Sequence, residues 1–495
     1  MNEQKRDKQK WDEQRKHAPL NLGDVLVLGL GKSGRAVCDY CVNLLGTRVA
    51  SLTIAAGAKN DDALVCAQAY VDRGARVYFD STDVEGAYDV CIASPGISEF
   101  SEFYQNAAAH STEVISEVEF AWRESAKDSR WIAITGTNGK TTTTALITHL
   151  LNVAGVDARA VGNIGNTCID EVAKHDTSCY VAEVSSYQLA STRYFKPSVA
   201  VLLNITPDHI SWHKTFEAYA QAKQKIYANC GSGDAVVLDA TNDVVRSMVR
   251  EIKAAQHEKR TFAYLPMGTQ QGLRSSMIEA CGSENAVYLD GDILTVEYEG
   301  VCHRLIPASE LQIKGEHNAS NALAAASAVI ALGVCSDEVL CEGLRSFEPI
   351  EHRIEPCGSV AGVRCYNDSK ATNVDATLKA LAAFGDEKPL VLLGGHDKGT
   401  DLSELVAVSE QHVKAVVCFG AAGQRFFDAF EPSSVPTYRA DHLEDALDCA
   451  LDHAQSGDIV ILSPACASFD EFSGFPERGR VFKSLVATRS QERGK

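Results

Sequence analysis

The chain has 495 residues, too many for one hydrophobic core, and this length predicts about three domains. Its contents of hydrophobic residues, 45%, and of charged residues, 23%, are those of a globular protein. The 66 acidic side chains outnumber the 47 basic ones and give a formal charge of −19. This balance argues against a nucleic-acid-binding protein, which would carry a basic surface.

Residues 1–21 are mostly polar and charged, which predicts a disordered tail and not the apolar core of a signal peptide. No apolar run approaches the ~20 residues of a membrane span. The 16 cysteines are scattered, without paired metal-ligand spacing, so we expect reduced thiols. These features predict a cytoplasmic protein with no membrane span and no nucleic-acid partner, which we expect to be a monomer.

The first predicted strand, residues 25–29, runs into a glycine-rich turn with the spacing Gly29-x-Gly31-x-x-Gly34. This spacing is that of a dinucleotide-binding turn, which usually has an acidic residue at the end of the next strand. The next strand, residues 48–53, has no carboxylate. NAD or FAD is therefore disfavoured, whereas the diphosphate of another nucleotide, or a simple packing turn, remains open.

The most informative run is TGTNGKTT at residues 135–142, between a predicted strand at 131–134 and a predicted helix at 144–155. Such a strand, turn and helix form a cradle whose backbone N–H groups face a phosphate. Lys140 would reach the outer phosphates, and the Thr141 hydroxyl would hold Mg²⁺. The first glycine of the general pattern is replaced by Ile134, so an ordinary turn is the alternative.

Polar side chains follow the next two strands of this segment. Glu183 ends the strand at residues 180–183, and Asp208 and His209 follow the strand at residues 199–203. A carboxylate at this edge is well placed for Mg²⁺, although a solvated acid and a structural histidine are the simpler interpretations.

Lys223 occupies an apolar position of the next predicted helix. Phe216, Tyr219, Ile226 and Cys230 share its face at helical spacing. Burial of an ammonium group costs several kcal/mol unless the group is paired or chemically changed. Lys223 could extend to water, face anions, or react with CO₂ to form a carbamate that binds a metal.

The remaining elements complete three α/β segments. A hairpin is predicted around Asp290-Gly291 and an alanine-rich helix at residues 318–332, and strands at 390–393, 415–419 and 458–462 follow. Repeated β/α units predict parallel sheets with ligands at the carboxyl ends of strands. The predicted domains are a Rossmann-like domain at 22–126, a P-loop ATPase-like domain with a small β element at 127–347, and a Rossmann-like domain at 348–495.

Several runs together resemble the Mur ligases, ATP-dependent amide-forming enzymes of peptidoglycan synthesis. The runs are TGTNGKTT, GNIG at 162–165, EVSSYQL at 183–189, NITPDH at 204–209, EHNASNA at 316–322 and His352-Arg353. Within this family, NDSKATN at 367–373, LSPACAS at 462–468 and Phe475 are similar to the branch that uses D-glutamate.

The resemblance implies a reaction and its cofactors. ATP would phosphorylate the alanyl carboxylate of UDP-N-acetylmuramoyl-L-alanine, and the D-glutamate amine would then displace phosphate. Two Mg²⁺ ions and a carbamate on Lys223 are implied, and the site would lie where the three domains meet. The alternatives are another Mur-type amino-acid ligase, a dinucleotide-dependent oxidoreductase, or an ATP-binding module without turnover.

The resemblance also implies a role for each matching residue. The implied catalytic residues are Lys140, Glu183, His209 and Lys223, and the implied metal ligands are Thr141, Glu183, His209 and Lys223. The implied ATP contacts are Gly136, Thr137, Asn138, Gly139, Lys140, Thr141, Thr142, Asn163, Asn318, Asn321, Arg353 and Asp368. The implied contacts to the UDP substrate are Gly31, Lys32, Ser33, Ser94, Pro95 and Gly96, and those to D-glutamate are Thr372, Lys398, Ser468 and Phe475. Two departures leave roles open, because no acidic residue follows the second strand and Ser211 replaces a frequent aspartate.

Overall fold

The computed structural model describes residues 17–256, 262–268, 283–313, 315–385, 387–397 and 399–493. The chain forms two compact units, of which the first comprises Met1–Glu310 with Ala319–Ser346 and the second Leu311–Asn318 with Phe347–Lys495. Within the described ranges, the first unit contains two parallel-rich sheets and the second unit contains one. The α/β fold class predicted from the sequence is confirmed, whereas the predicted domain boundaries stay predictions.

The first sheet has the strand order β3-β2-β1-β4-β5, with all neighbouring strands parallel. The order reverses between β1 and β4, and ligands of open α/β sheets bind outside the carboxyl ends of strands at such a point. The elements are β1 (Gly23–Leu28), α1 (Lys32–Val42), β2 (Val49–Ala55), α2 (Asp61–Val71), β3 (Arg76–Tyr78), β4 (Val90–Ala93), α3 (Glu102–Ala109), β5 (Val114–Ser116) and α4 (Glu117–Glu124).

The glycine-rich turn after β1 requires its last glycine for close packing. A Cβ atom on Gly34 would lie 2.0 Å from the carbonyl oxygen of Gly29, so any other residue would push α1 away from the strand. The turn therefore packs α1 tightly on the sheet, and its exposed part, Gly31 and Lys32, is left at the carboxyl end of β1.

The end of the predicted tail is packed against helix α4. Residues 1–16 lie outside the described residues, but His17 stacks on Trp122 with ring centroids 4.3 Å apart. Ala18 is fully buried, and its N–H donates to the carbonyl of Arg123 over 3.0 Å. His17 and Ala18, which the composition assigns to the tail, are therefore part of the packed structure.

The second sheet carries the phosphate-loop strand β6 in its parallel part, between β9 and β8. Its order is β14-β13-β12-β11-β10-β9-β6-β8-β7, with antiparallel pairing only from β12 to β14 within the described part of the chain. The elements are β6 (Arg130–Thr135), α5 (Lys140–Val153), β7 (Ala158–Gly162), α6 (Cys168–Val172), β8 (Cys179–Glu183), α7 (Ser186–Ala190), β9 (Val199–Leu202), α8 (Ile210–His213), α9 (Phe216–Gln224), β10 (Ala235–Asp239), α10 (Asp243–Gln256), β11 (Ala263–Met267), β12 (Ala286–Asp290), β13 (Ile293–Tyr298), β14 (Val301–Pro307), α11 (Glu316–Leu332) and α12 (Asp337–Ser346).

The predicted hairpin and alanine-rich helix are both present. β12 and β13 pair from Asp290 opposite Ile293, with Gly291 at φ +63° in the turn, as the Asp-Gly signal predicts. α11 ends before Gly333, at φ +68°, and begins two residues earlier than predicted.

Helix α4 joins the first two sheets through polar contacts that are buried or partly buried. Arg123 is 5% exposed, and its Nη2 bonds Glu119 at 2.5 Å while its Nη1 bonds Glu113 at 2.6 Å. Glu119 also accepts the backbone N–H of Tyr194 at 3.0 Å, next to the second sheet. Glu117 likewise accepts the N–H of Ile169 at 2.7 Å, at the start of α6. These bonds fix the two sheets to each other within the first unit.

The third sheet forms the core of the second unit. Its order is β15-β16-β20-β17-β18-β19, parallel except for the β15–β16 pair. The elements are β15 (Glu355–Val360), β16 (Val363–Asn367), α13 (Val374–Ala382), β17 (Leu390–Gly394), α14 (Ser403–His412), β18 (Ala415–Phe419), α15 (Gly423–Phe430), β19 (Thr437–Arg439), α16 (Leu443–His453), β20 (Ile459–Ala465) and α17 (Phe475–Arg493).

The described residues also show the state of the cysteines and the character of the helices. The cysteines there have free thiols, as the sequence predicts. None of the helices in the described ranges combines the length and the apolar character that crossing a membrane requires.

Candidate active site

The phosphate loop lies between β6 and α5, and Gly139 ends it. Gly139 has φ +83°, and a Cβ atom there would lie 2.4 Å from Oδ1 of Asn321. Only glycine fits this left-handed, crowded position. α5 begins at Lys140, four residues before the predicted start, because the left-handed turn at Gly139 already sets up the first helical turn. The N–H groups of that turn lie at the carboxyl end of β6, the position at which such a loop binds a phosphate.

Asn204 holds the phosphate loop from the neighbouring strand. Its backbone carbonyl accepts the N–H of Thr137 at 2.7 Å, and its Oδ1 accepts the N–H of Asn138 at 2.8 Å. Its Nδ2 donates back to the carbonyl of Asn138 at 3.2 Å. Asn204 belongs to the NITPDH run, but its positioning role was not recognised from the sequence, because only the pairing of β6 with β9 brings it beside the loop.

Two lysines share one carbonyl oxygen of this loop. Nζ of Lys140 lies 2.9 Å from the Gly136 carbonyl oxygen and 2.8 Å from that of Thr137, and Nζ of Lys223 lies 2.7 Å from the same Gly136 oxygen. Lys140 is thereby folded back onto the loop, at the position from which a phosphate group would be contacted.

Lys223 is buried, as its place on the apolar face of α9 predicts. It is 2% exposed, and its Nζ lies 4.8 Å from the centre of the Tyr219 ring. Burial, followed by the charge of Lys140, lowers the pKa of Lys223 well below its usual value, while Asp208 and Glu183 act in the opposite direction. This surrounding favours the neutral amine, the form that reacts with CO₂.

Glu183 ends β8 directly beside the phosphate-loop strand. The register places it opposite Ile134 on one side and opposite Gly162 on the other. It is 1% exposed, and its Oε1 accepts a hydrogen bond from Nδ2 of Asn163 at 2.8 Å. The parallel register thus brings the ends of β6, β7 and β8 together at one edge, as predicted.

Asp208 and His209 lie at the same edge, after β9. His209 has φ +55°, and Asp208 holds it through its Oδ1, which accepts the His209 N–H at 2.8 Å. The Nε2 atom of His209 is 3.4 Å from Oδ2 of Asp208, and its side chain is 37% exposed. The ring is therefore oriented by a carboxylate but accessible, which suits a metal ligand.

The donors at this edge fit Mg²⁺ in part. The Glu183 carboxylate and the hydroxyl of Thr141, itself 4% exposed at the start of α5, are oxygen ligands of the kind Mg²⁺ prefers, and the His209 ring adds a nitrogen. Lys223 as an amine does not fit, because its Nζ donates to Gly136. It would fit only as a carbamate.

The predicted UDP-substrate residues meet at the strand-order reversal of the first sheet. Oγ of Ser94, directly after β4, donates to the carbonyl of Gly29 at 3.2 Å, which joins the Ser94-Pro95-Gly96 turn to the turn after β1. Nζ of Lys32 donates to the carbonyl of Gly165 at 2.7 Å, so the first-sheet turn also touches the GNIG run. Ser33 follows as the second residue of α1.

In the second unit, the predicted D-glutamate residues lie after the carboxyl ends of β16 and β20 and at the start of α17. Thr372 follows β16, Ser468 follows β20 and is 2% exposed, and Phe475 is the first residue of α17. The Ser468 hydroxyl has no hydrogen-bond partner among the described residues. Lys398 lies outside the described residues, so its predicted role has no structural test.

Arg478 ties these segments together and was missed in the sequence. It is fully buried on α17, and its donors reach only neutral oxygens in the described structure: Ser369 Oγ at 3.0 Å, the Ser369 carbonyl at 2.8 Å, the Cys466 carbonyl at 3.0 Å and the Ala467 carbonyl at 3.1 Å. From the sequence alone, a charged residue within a helix is expected to lie at the solvent-exposed surface. Only the packing of the folded chain shows that Arg478 is buried. Burial lowers its pKa to about 10.

The remaining predicted ATP contacts divide between the units. Asn321 is 6% exposed on α11, and its Oδ1 accepts from Thr143 at 3.3 Å beside the phosphate loop. Asn318, Arg353 and Asp368 belong to the second unit. Asp368 accepts from Ser463 Oγ at 2.7 Å, and burial raises its pKa to about 7.

The parallel α/β sheets and the glycine-rich loop between β6 and α5 define a phosphate-loop class of nucleotide-binding protein. Residues 134–329 match the Mur ligase middle domain and residues 352–466 match the glutamate ligase domain of Mur ligases. The chain belongs to the Mur ligase family.

Among members of this family, the chain is similar to ligases that are named for D-glutamate. The chain is 36% identical over 469 residues, 94% of its length and 98% of the relative's, to the UDP-N-acetylmuramoylalanine–D-glutamate ligase of Thermoanaerobacter pseudethanolicus. It is 40% identical over 411 residues, 81% of its length and 85% of the relative's, to the ligase of the same name from Salinibacter ruber. The solved UDP-N-acetylmuramate–alanine ligase of Thermotoga maritima shares the fold, with a TM-score of 0.54 at 17% identity over 94% of this chain and 99% of that one.

Proposed function

We propose that this protein is an ATP-dependent ligase that adds D-glutamate to UDP-N-acetylmuramoyl-L-alanine, giving ADP and phosphate. Two relatives named UDP-N-acetylmuramoylalanine–D-glutamate ligase, at 36% and 40% identity, support the substrate assignment. The observation that carries the proposed chemistry is the edge formed by Gly139, Lys140 and Glu183, where a phosphate cradle and a buried carboxylate meet. The product would enter peptidoglycan precursor synthesis, and because ATP is the phosphoryl donor we assign the reaction to the cytoplasm.

The proposed first step is phosphoryl transfer from ATP to the alanyl carboxylate. The N–H groups at the start of α5 and the Lys140 ammonium would hold the β- and γ-phosphates. A carboxylate oxygen then attacks the γ-phosphorus, the bond to the bridging oxygen breaks, and ADP leaves. Positive charge at Lys140 would stabilise the oxygen atoms that gain charge in this transition state.

The proposed second step forms the amide. The D-glutamate amine attacks the carbonyl carbon of the acyl phosphate, the C–O bond to phosphate breaks, and the nitrogen loses a proton. Thr372, Ser468 and Phe475 would bind the amino acid in the second unit, with Lys398 as the cation for a carboxylate. Arg478 would act on this step indirectly, because it holds the backbone on which Ser468 stands.

Magnesium would be held by Thr141 and Glu183, and at a second position by Glu183, His209 and carbamylated Lys223. When bound, Mg²⁺ supplies charge neutralisation between the crowded phosphate oxygens. Burial lowers the pKa of Lys223, which supports carbamylation, because the neutral amine is the nucleophile that reacts with CO₂. Asn163 would orient Glu183 through the 2.8 Å bond to its Oε1.

The test is ADP release by the purified chain with UDP-N-acetylmuramoyl-L-alanine and a panel of single amino acids. The proposal predicts release with D-glutamate and not with L-glutamate, L-alanine or glycine. Release with L-alanine and UDP-N-acetylmuramate would instead indicate another Mur-type ligase. Nucleotide binding without release under every condition would indicate a binding module and contradict the proposal.

A further inference from the structure

A cluster of aromatic rings lies beside the phosphate-loop edge of the first unit. We call the rings of Tyr187, His209, Trp212 and His213 the aromatic shelf. Tyr187 is at its centre, with ring centroids 4.7 Å from Trp212 (interplanar angle 29°), 4.8 Å from His209 and 5.7 Å from His213. Tyr187 and Trp212 are only half-buried, so part of the shelf is open to solvent.

Two hydrogen bonds hold the aromatic shelf in place, one to His213 and one to the backbone of Trp212. His213 is fully buried, and its Nε2 lies 2.9 Å from the Ser186 hydroxyl. The backbone carbonyl of Trp212 accepts a hydrogen bond from Ser98 Oγ at 2.9 Å. Ser98 is two residues beyond Gly96, so the shelf is bonded to the same loop that carries the predicted sugar-diphosphate contacts.

This position connects the two ends of the proposed substrate. The UDP end is assigned to the turns after β1 and β4, and the reacting carboxylate to the edge with Glu183 and His209. Trp212 is three residues from His209 and is hydrogen-bonded to the loop of Ser94 and Gly96. The part of the substrate between its diphosphate and its carboxylate therefore has to pass close to the shelf.

The indole can contact a ligand only through its carbon surface. Its Nε1 atom is buried and has no hydrogen-bond partner in the described structure. A pyranose presents a face of C–H groups, and the lactyl, acetyl and alanyl groups each add a methyl. Contact of such groups with an aromatic face lowers the free energy of binding, because apolar surface is removed from water and dispersion contacts form.

We propose that the ring face of Trp212 is a specificity-determining contact for the N-acetylmuramoyl-alanyl part of the UDP substrate. This inference rests on the proposed function and adds to it a residue that none of the sequence motifs assigns. Trp212 contributes through shape and apolar surface, so phenylalanine replaces it and alanine does not.

The experiment measures binding to the full chain without ATP, for UDP and for UDP-N-acetylmuramoyl-L-alanine. Trp212→Ala should raise the Kd of the full substrate about five- to tenfold and leave the Kd of UDP unchanged. Trp212→Phe, the matched control, keeps a ring and removes the buried N–H, so its Kd values should stay within about twofold of the wild type. Equal affinity of wild type and the alanine variant for the full substrate would overturn the proposal, and so would an equal loss for UDP alone.

Fluorescence gives a second readout that does not depend on the alanine variant folding. The chain has four tryptophans, of which Trp122 and Trp131 are buried in the core. The full substrate should change the emission of the wild type, UDP should not, and Trp212→Phe should lose the change. The same emission change in wild type and Trp212→Phe would contradict the proposal. Turnover is tested separately: an inactive wild type would refute the proposed ligase, whereas these binding data would still decide the role of Trp212.

Discussion

Replacement of Gly139 by alanine tests whether the phosphate loop depends on the crowded left-handed turn. An added Cβ atom would lie 2.4 Å from Oδ1 of Asn321 and 3.0 Å from Cδ1 of Leu203, at a residue with φ +83°. The left-handed conformation costs a non-glycine residue about 1–2 kcal/mol. The overpacking adds about 1–3 kcal/mol, because the Asn321 Oδ1 atom that would have to move accepts a hydrogen bond from Thr143. We therefore expect a loss of about 2–5 kcal/mol in the free energy of unfolding.

Gly155, just beyond the other end of α5, is the matched control. It has φ +77°, but nothing lies within 4 Å of its added Cβ, so Gly155→Ala should cost only the backbone term of about 1–2 kcal/mol. Urea unfolding followed by circular dichroism measures both losses, and calorimetry measures ADP binding with Mg²⁺. Gly139→Ala should weaken ADP binding more than tenfold, and Gly155→Ala should not. Equal losses of stability, or unchanged ADP affinity in Gly139→Ala, would refute this reasoning.

Three further substitutions test separate parts of the account. Lys223→Ala should abolish ligation more than substrate binding, and short carboxylic acids should restore activity if a carbamate is needed; full activity of the variant would exclude a catalytic role. Burial raises the pKa of Glu117 to about 7 from an unfolded value near 4.5, so its ionisation removes stability as pH rises from about 4.5 through 7. Glu117→Gln should therefore gain up to about 3 kcal/mol relative to the wild type above pH 7 and show a flatter pH dependence of urea unfolding, and parallel pH curves would contradict this. Arg478→Lys, which loses the forked donors, should raise the KM for D-glutamate more than that for ATP; equal changes would indicate a structural role alone.

The features that could be predicted from the sequence are those encoded by neighbouring residues. The strand, glycine turn and helix around Lys140 lie within about two dozen residues, and the carboxyl-end placement of Glu183 follows from its position at the end of an apolar run. The inward position of Lys223 follows from helical spacing, and the structure confirms its burial. These signals are local, so one sequence suffices to read them.

The features that escaped prediction depend on contacts between distant segments. Asn204 anchors a loop some 66 residues away in the chain, and Arg478 bonds carbonyls of the loops after β16 and β20. Neither role leaves a pattern in the local sequence, because an asparagine after a strand and an arginine in a helix are ordinary at the surface. The helix that carries Lys223 also ends at Gln224, before a short 3₁₀ turn over Lys225–Tyr227, although the spacing suggested a longer helix.

Isotope transfer tests the central claim, that this site activates a carboxylate with the terminal phosphate of ATP before an amine captures it. The alanyl carboxylate of UDP-N-acetylmuramoyl-L-alanine is labelled with ¹⁸O and incubated with the protein, ATP, Mg²⁺ and D-glutamate, and the released phosphate is analysed by mass spectrometry. The account predicts that each phosphate carries one ¹⁸O atom and that Lys140→Ala releases none. Unlabelled phosphate, or labelled phosphate formed equally by Lys140→Ala, would contradict it.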